Sequence, residues 1–485
     1  MSVSGSIIEC MFEFVDEAGL LAEMAAGQRA ERVAVGRRLL AAGRLCQVRM
    51  ADVEDADRLQ WCIDNWEAVA AEVGAELGIS RGRASSEMNY GVELLERLPR
   101  LGAALVAGLV DFRVVAVVVF RTGLITDEQV LADIDARLAV AAPGWNGLSR
   151  RRVTEVVDWF VRELDPAAER VARDADADRH VEIGPLGSGV GGLAEFWGVV
   201  RAADAAVLDR RLDLLAGSVC TGDSRTKRQR RADALAALAA GQDFMVCDCG
   251  SERCPAAGAE APPAQVVIHV VAQQATVSGE SVAPGYLAGF GAVAAQTVRD
   301  LVPRAQLRPV KPAHEFSAEA QYRPSVALAE FIRARDLWCR FPGCDVAGQF
   351  CDLDHSIPWI AGGLTHPSNI HLKCRPHHLV KTFWCGDNGW AEQQFPDGTI
   401  VWRSPSGRTY TTTPGGALFF PHLATPTEPL TTDTPTTAAP GPSSSPGRTL
   451  MMPTRQRTRA AERAARIAWE RGLNEARWAA DPPPF

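Results

Sequence analysis

The residues with the clearest chemical potential lie between positions 339 and 381. Two pairs of metal-binding side chains frame this stretch, Cys339 with Cys344 and Cys374 with His377. Thiolate and imidazole are ligands that zinc prefers, and two such pairs close a tetrahedral site when the chain brings them together. A Phe-Pro-Gly turn between the first two cysteines can aim both thiolates at one point. The spacing therefore predicts a structural zinc site; the alternative is a set of unrelated buried cysteines.

A second set of polar residues, Asp354, His355, Asn369 and His378, is interleaved with these ligands. Neighbouring strand residues point to opposite sides, so Asp354 can hold a metal while His355 reaches a water. Adjacent helical residues point about 100° apart, so His378 can face a cleft while His377 faces the zinc. A carboxylate, a carboxamide and an imidazole suit a hard divalent ion that must also bind phosphate oxygens. The set therefore predicts a second, chemically active metal site.

The elements around these residues must bring them together. Apolar residues recur at three-to-four spacing through most of residues 12–215, as in Val153, Val157 and Phe160, which is typical of helices. The glycine-rich stretch after His180 predicts a short hairpin between helices. Further elements are predicted as a strand over 266–271, helices over 225–240, 292–301 and 325–335, and a small hairpin over 398–410.

The composition is that of a soluble globular protein. The 485 residues suggest about three domains, and 47% hydrophobic with 23% charged residues excludes wholesale disorder. Because the formal net charge is −8, any nucleic-acid contact must come from a local patch. The most apolar stretch, 101–120, contains Asp111 and Arg113 and is predicted to be a buried helix instead of a membrane span. Acidic residues at Glu9 and Glu13 are untypical of an export signal, so we expect a cytoplasmic protein.

The order Asp-His, Gly-Gly, Asn, Cys-x-x-His-His, Lys between Asp354 and Lys381 resembles the HNH nuclease motif, a strand–strand–helix element folded around a metal ion. The resemblance covers about fifty residues. Two features depart from the common pattern: four residues instead of two separate the first cysteine pair, and His377 stands in place of a fourth cysteine. Both departures are chemically acceptable to zinc.

This resemblance implies an endonuclease that acts on DNA, in the first place double-stranded DNA. It implies that His355 is the general base, that Asp354 and His378 hold a catalytic Mg²⁺ or Mn²⁺, and that the ion stabilises charge on the leaving oxygen. Asn369 would hold the hairpin loop and either touch the metal or orient His355. Lys381 is either a phosphate contact or a solvated helix lysine.

Segments at 223–233, 284–291 and 322–325, followed by Arg335-Asp336, resemble a large actinobacterial family in which a helical domain of unknown function (DUF222) precedes an HNH module. The expected fold is mainly α with minor β (α+β), with a long helical N-terminal domain and a small zinc-stapled ββα-metal module. The expected boundaries are a helical domain with a small sheet over 12–310, an HNH module over 325–412 with its core at 333–384, a disordered Pro/Thr/Ser linker over 424–454 and a basic helical tail over 455–485.

A second cysteine cluster leaves two interpretations open. Cys247, Cys249 and Cys254 are three candidate ligands of a second metal, with Cys220 or His269 as the fourth. Three cysteines within eight residues are suggestive, but spacing does not dictate a fourth ligand. The sequence therefore leaves open whether these cysteines bind a second metal.

Other signals are weaker. The basic run at 225–231 is either a phosphate-binding patch or a solvated helix face paired with Asp223 and Asp233. The tail, with seven Arg and three Glu between 455 and 477, could add DNA affinity through a flexible tether or be a solubilising, poorly ordered segment. We expect the following residues to be packing, strand or surface residues without a role in the site: Cys351, Cys385, His366 and His371.

Three functions compete at this stage. The first is a metal-dependent endonuclease. The second is a non-catalytic zinc-stabilised module that binds DNA or organises protein interactions, in which His355 would have no role. The third is a degenerate mobile-element relic whose helical domain mediates association. The joint presence of Asp354, His355, Asn369 and His378 favours catalysis, because a purely structural module does not need all four.

Overall fold

The computed structural model describes residues 15–51, 56–170, 179–185, 193–254, 269–386, 388–427 and 451–480. The chain forms two compact units: unit 1 comprises residues 1–171 and 310–485, and unit 2 comprises residues 172–309. Both contain helices and small antiparallel sheets, which confirms the predicted mainly helical α+β class. Contacts thus place the first helices in the same unit as residues 310–485, whereas the predicted domain boundaries grouped those helices with residues 172–309.

Helices dominate the described residues before position 171. Several of them begin at a side chain that accepts a hydrogen bond from a first-turn backbone N–H, as Asp64, Ser80 and Ser149 do. Their buried faces form two clusters, a larger one of mainly leucine and valine side chains and a smaller one that includes Val69, Val73 and Met88. The helices are α1 (Glu17–Ala51), α2 (Asn65–Leu77), α3 (Arg81–Glu96), α4 (Pro99–Val106), α5 (Phe112–Arg121), α6 (Glu128–Ala141) and α7 (Arg150–Leu164).

The apolar stretch 101–120 is buried as predicted, yet it forms two helices, α4 and α5, instead of one. Gly108 has a φ of +73°, a conformation that ends a helix and that glycine adopts without strain. Asp111 then caps α5 by accepting a hydrogen bond from the Arg113 N–H at 2.9 Å. The charged residues that argued against a membrane span therefore mark a helix boundary. Among the described residues, no helix combines the length and apolar character needed to cross a membrane.

Unit 2 contains a hairpin, helices and a three-stranded sheet. The hairpin predicted after His180 is confirmed, while the predicted strand is seen only at Val270–Val271, since 255–268 lie outside the described residues. The helix predicted from residue 292 begins instead at Ala295, because Ala292 pairs with Tyr286 in the sheet. The elements are β1 (His180–Pro185), β2 (Ala194–Val199), α8 (Ala202–Ala216), α9 (Lys227–Ala239), β3 (Val270–Val271), α10 (Gln274–Ser278), β4 (Gly285–Leu287), β5 (Gly291–Val293) and α11 (Ala295–Leu301).

The basic run at the start of α9 is paired with acidic residues. Arg225 contacts Asp223 and Asp233, each at 2.8 Å, which confirms the interpretation of a helix face paired with these two residues. Arg231 likewise contacts Asp213 at 2.5 Å on the neighbouring helix α8. These contacts neutralise much of the run and join α8 to α9.

The second part of unit 1 contains the residues singled out by their chemistry, and residues 325–412 are called the cysteine-rich module below. Ser325 caps the predicted helix, and β6 pairs with β7 antiparallel so that Asp354 lies opposite His371. The predicted hairpin at 398–410 is confirmed as part of a three-stranded sheet. The elements are α12 (Val326–Asp336), β6 (Cys351–His355), β7 (Ile370–Cys374), α13 (Arg375–Phe383), β8 (Ala391–Gln394), β9 (Ile400–Arg403) and β10 (Thr409–Thr412).

A buried ionic network joins α12 to β7. Asp336 accepts hydrogen bonds from Arg335 Nε at 2.8 Å, from Arg340 Nη1 at 3.0 Å and from the Leu372 backbone N–H at 2.9 Å. Arg335 also donates to the Ile370 carbonyl at 2.8 Å. All three charged side chains are almost fully buried. The network therefore fixes where β7, and the ligands at its end, lie relative to α12.

The basic tail forms a helix, α14 (Arg459–Ala480), packed within unit 1. Asn474 in its C-terminal half donates hydrogen bonds to the carbonyls of Ala167 at 2.8 Å and Glu169 at 2.6 Å. The predicted helical tail is thus confirmed over residues 459–480, while its interpretation as a flexibly tethered or poorly ordered segment is wrong there; most of the predicted linker, 428–450, lies outside the described residues. The tail arginines bind carboxylates of the first helices in these pairs: Arg455 and Arg459 with Asp64, Arg463 with Glu93, and Arg471 with Asp165.

Candidate functional site

The structure brings together the four residues predicted to bind zinc. Cys339 and Cys344 lie on a tight turn in which Gly343 has a φ of +75° and the Cys344 N–H donates to the Phe341 carbonyl at 3.1 Å. Cys374 ends β7, and His377 lies in the first turn of α13. The ligand atoms of the four side chains all lie within 4.8 Å of one another. This cluster could hold a metal ion.

The distances in the cluster fit a tetrahedral zinc site. Cys344 Sγ lies 3.9 Å from Cys374 Sγ, and His377 Nδ1 lies 3.6 Å from Cys339 Sγ and 3.2 Å from Cys374 Sγ. Two thiolates on one zinc ion are about 3.8 Å apart, and a thiolate and an imidazole nitrogen about 3.6 Å, given zinc–ligand bonds of about 2.3 and 2.0–2.1 Å. The His377 ring is stacked on Phe341, with centroids 4.0 Å apart, which fixes its orientation.

Asp354 lies next to this cluster, in a group of charged side chains. Its Oδ2 accepts hydrogen bonds from Lys373 Nζ and Lys381 Nζ, both at 2.8 Å. Its Oδ1 lies 3.4 Å from His378 Nε2. Both lysines also contact Glu392 on β8, Lys381 at 3.0 Å. Asp354 and His378 are thus brought together as predicted, and Lys381 is mostly buried, unlike the solvated lysine that the sequence left open.

The protonation states follow from this crowding. Burial would raise the pKa of Asp354, but the ammonium groups of Lys373 and Lys381 outweigh burial and hold the pKa well below its usual value. Burial would lower the pKa of His378, yet hydrogen bonds to Asp352 and Asp354 raise it above the ordinary value. The two ammonium groups therefore supply positive charge around Asp354, and the two carboxylates favour the protonated form of His378.

His355 lies in a separate environment beside the same strand. Its Nε2 is 2.9 Å from Thr365 Oγ1, whose hydroxyl donates to the Gln321 carbonyl at 2.6 Å. Because a hydroxyl has one proton, His355 Nε2 must be the donor to Thr365, so the neutral ring carries its lone pair on Nδ1. The ring is stacked on Tyr322, and burial lowers its pKa below the ordinary value. The side chains of Asp354 and His355 point to different neighbours, as the strand alternation predicted.

Asn369 holds the loop between β6 and β7. Its Oδ1 accepts from the Ile357 N–H at 2.8 Å, and its Nδ2 donates to the carbonyls of Ile357 at 3.1 Å and Leu364 at 2.9 Å. The loop-holding role that the resemblance implied is therefore present in the structure. These three hydrogen bonds to the backbone engage both the oxygen and the nitrogen of the Asn369 carboxamide. The side chains that contact Asp354 are instead those of the two lysines and His378.

Sequence reasoning missed several residues that shape the site. Asp352 Oδ2 lies 2.9 Å from His378 Nδ1, and its position two residues before Asp354 on a strand was a signal for a shared face. Glu392 comes from a separate strand, β8, and no local pattern indicated it. His371 is fully buried on β7, and His366 is buried in the loop, where Nδ1 lies 2.8 Å from Ser368 Oγ. His366 is therefore neither a surface nor a strand residue.

The spare cysteines are outside the four-ligand cluster. Cys351 Sγ lies 3.4 Å from the Val346 carbonyl, and Cys385 Sγ lies 3.5 Å from the Thr382 carbonyl. A further group, Asp354, His371 and Glu392, has ligand atoms within 4.8 Å of one another. Its two carboxylates are both bound by the Lys373 ammonium, which already provides the cation between them.

The fold and this site define a helical protein with a small cysteine- and histidine-rich strand–strand–helix module whose ligands could hold a metal ion. The sequence matches the domain of unknown function DUF222 over residues 26–336. The protein therefore belongs to the DUF222 family.

Relatives in Mycobacterium tuberculosis extend the match beyond that domain. The uncharacterized protein Rv2100 of strain H37Rv is 40% identical over 536 aligned positions, covering 100% of this chain and 95% of the relative. The uncharacterized protein Rv3776 of the same strain is 42% identical, covering 94% of this chain and 90% of the relative. No solved structure matches this chain. The similarity thus includes the cysteine-rich module, and these names state no activity.

Proposed function

We propose that the cysteine-rich module is a zinc-stabilised HNH module that hydrolyses phosphodiester bonds of DNA with the help of a divalent ion. The observation that carries the proposal is the 3.4 Å approach of Asp354 Oδ1 to His378 Nε2, on the same strand pair and helix as Cys374 and His377 of the candidate zinc cluster. A module that only needed zinc would have no use for this second, separately oriented pair.

The donor set at this pair fits a hard divalent ion. Neighbouring ligands of Mg²⁺ at about 2.0–2.1 Å in octahedral geometry are about 3 Å apart, close to the observed separation. His378 Nδ1 lies 2.9 Å from Asp352, and a carboxylate on the far nitrogen is what orients a metal-binding histidine and leaves its other nitrogen free. Lys373 and Lys381 engage only Oδ2 of Asp354, which leaves Oδ1 available.

When bound there, Mg²⁺ or Mn²⁺ supplies charge stabilisation for phosphate oxygens and the leaving 3′ oxygen. The protein residues do the rest. Thr365 holds the His355 ring and fixes its tautomer, so Nδ1 takes the proton from the attacking water. Asn369 keeps the loop closed, and Lys381 bridges Asp354 and the His355 carbonyl, which links the two halves of the site.

A second function has an observation of its own. Lys373 and Lys381 already neutralise Asp354, as expected if this cluster is only a buried structural network. The module would then be a non-catalytic zinc-stabilised unit that binds DNA or proteins. In that case replacement of His355 would leave nucleic-acid affinity intact, and no divalent-ion-dependent cleavage would occur.

The proposal is tested by incubating the full-length protein with supercoiled plasmid and Mg²⁺ or Mn²⁺. We expect nicked circles to accumulate with either ion and to be absent with a chelator. Asp354→Asn, which keeps the shape but weakens the ion ligand, should lower the nicking rate strongly. The matched control is Asp345→Ala, an exposed carboxylate of the same module, which should nick like the wild type. A folded, zinc-loaded wild-type protein that never nicks above a protein-free blank contradicts the proposal.

Zinc removal gives a further prediction. Cys374→Ser should lose the zinc of the module and leave residues 325–412 sensitive to limited proteolysis, because structural zinc contributes apparent binding free energies of about 10–16 kcal/mol to folding. Zinc per chain, measured by mass spectrometry, checks the first effect. Cys385→Ser should keep zinc and protease resistance, since its thiol lies outside the cluster. Equal zinc content in both variants would refute the assignment of this site.

A further inference from the structure

Four cysteines converge in unit 2, far along the sequence from the module discussed above. The Sγ atoms of Cys220, Cys247, Cys249 and Cys254 all lie within 4.8 Å of one another, and Cys220 Sγ lies 3.5 Å from Cys247 Sγ. All four are free thiols. The fourth ligand that spacing alone did not dictate is thus Cys220.

The two loops that carry these cysteines are joined by hydrogen bonds that do not involve sulfur. Asp223 Oδ2 accepts from the Asp248 N–H at 2.9 Å, and Ser224 Oγ donates to Asp248 Oδ2 at 2.5 Å. Arg225 Nη2 contacts both Asp223 at 2.8 Å and the Val246 carbonyl at 2.9 Å. The loop after α8 is therefore fixed against the loop after α9 by a network that positions Cys220 opposite Cys247.

The turn after Cys249 completes the arrangement. Gly250 has a φ of +61°, which lets the chain reverse directly behind the thiol. The Cys254 N–H donates to the Ser251 carbonyl at 3.0 Å, and this second turn returns Cys254 to the other three sulfurs. Because Cys220 is exposed and Cys249 and Cys254 are only partly buried, four such thiols without a ligand would be an easily oxidised group.

The separations favour one metal ion over disulfides. A disulfide has an S–S distance of about 2.03–2.05 Å, well below the 3.5 Å that separates the Sγ atoms of Cys220 and Cys247. Thiolates around one tetrahedral zinc ion are about 3.8 Å apart, and a set of four cysteines is a common structural zinc site. Soft thiolate ligands also select zinc over hard ions such as Mg²⁺.

We propose that Cys220, Cys247, Cys249 and Cys254 bind a structural zinc ion that holds the ends of α8 and α9 together. The helices need such support, because the fully buried apolar core between them is small: Leu215, Ala234, Ala237 and Met245. Small cores of this kind are commonly stabilised by a metal ion. This site is independent of the proposed nuclease chemistry, since it lies in the other unit.

The experiment is metal analysis of the full-length protein by mass spectrometry, with single variants. The wild type should contain two zinc ions per chain. Cys249→Ser should contain one zinc ion fewer than the wild type, and Cys374→Ser should lose the other ion. The two sites are therefore measured separately. Cys62→Ser, a partly buried cysteine outside both clusters, should keep two. Zinc content that is unchanged in Cys249→Ser overturns the proposal.

A second measurement on the wild type guards against a variant that fails to fold. We expect the four thiols to be alkylated at least tenfold more slowly than Cys62, and at a similar rate once a chelator has removed zinc. Cobalt substitution should add thiolate charge-transfer absorption that Cys249→Ser weakens. Alkylation as fast as at Cys62, disulfides between the four cysteines, or iron in place of zinc would each overturn the assignment.

Discussion

Replacing His355 by alanine is expected to lower the rate of plasmid nicking by about 10²–10⁴-fold, the usual cost of losing a general base. The imidazole is buried to 4% exposure, held by Thr365 and stacked on Tyr322, so it is fixed in one orientation. Nicking rates with the enzyme in excess over plasmid measure the chemical step.

The control is His314→Ala, an exposed histidine of unit 1, whose rate should match the wild type. Zinc content and DNA affinity should stay unchanged in His355→Ala, which separates a lost base from a lost fold. Added imidazole should restore part of the rate, an effect that a merely structural defect does not show. Equal rates for the His355→Ala and His314→Ala variants would remove His355 from the mechanism and leave the non-catalytic module as the better function.

Replacing Asp336 by alanine is expected to destabilise unit 1 by about 3–5 kcal/mol, the range for breaking a buried ion pair by removing one partner. Asp336 has 0% exposure and binds two guanidinium groups, Arg335 and Arg340, that are themselves buried. Without the carboxylate, two positive charges face each other away from water, and the Leu372 N–H loses its acceptor. Urea unfolding followed by circular dichroism measures the change in free energy of unfolding.

The matched control is Asp133→Ala, which removes a half-exposed carboxylate paired with Arg137 at 3.1 Å. Exposed ion pairs of this kind contribute about 0–1 kcal/mol to stability, so the midpoint of urea unfolding should hardly change in Asp133→Ala. The loss for Asp336→Asn should lie between the two, because the amide oxygen can keep the two bonds that Oδ1 accepts from Arg335 and Arg340, whereas the amide NH2 cannot accept from the Leu372 N–H. A loss below about 1 kcal/mol for Asp336→Ala would show that the network does not hold β7 in place.

The sequence predicted the cluster of four candidate metal ligands because zinc requires particular residue types at particular spacings. Cys339, Cys344, Cys374 and His377 were identified from residue type and spacing, and the structure brings them together. Helices with strong caps, such as the one that begins at Ser325, were also predictable, since the cap is local. The cluster and the helix start of the module were thus predictable because both depend on residues close together in the sequence.

Long-range partners could not be predicted in the same way. Glu392 reaches Lys381 from a strand that follows α13, and Asp64 binds Arg459 across almost the whole chain. Nothing in the spacing of either residue indicates its partner, because such pairs depend on how elements pack. The same limit explains the division of 101–120 into two helices, where Gly108 and Asp111 outweighed an apolar pattern that looked continuous.

The position of α14 also constrains the order in which the protein can mature on the ribosome. Asp64 and Asp165 bind arginines from residues 455–471, and Glu93 gains Arg463 in addition to its helix neighbour Arg97, only after residues 1–454 have been synthesised. Unit 2, by contrast, is one continuous segment that ends at residue 309. Domains generally fold as units during synthesis. Unit 2 can therefore fold while unit 1, whose two segments flank unit 2 in the sequence, still lacks α14.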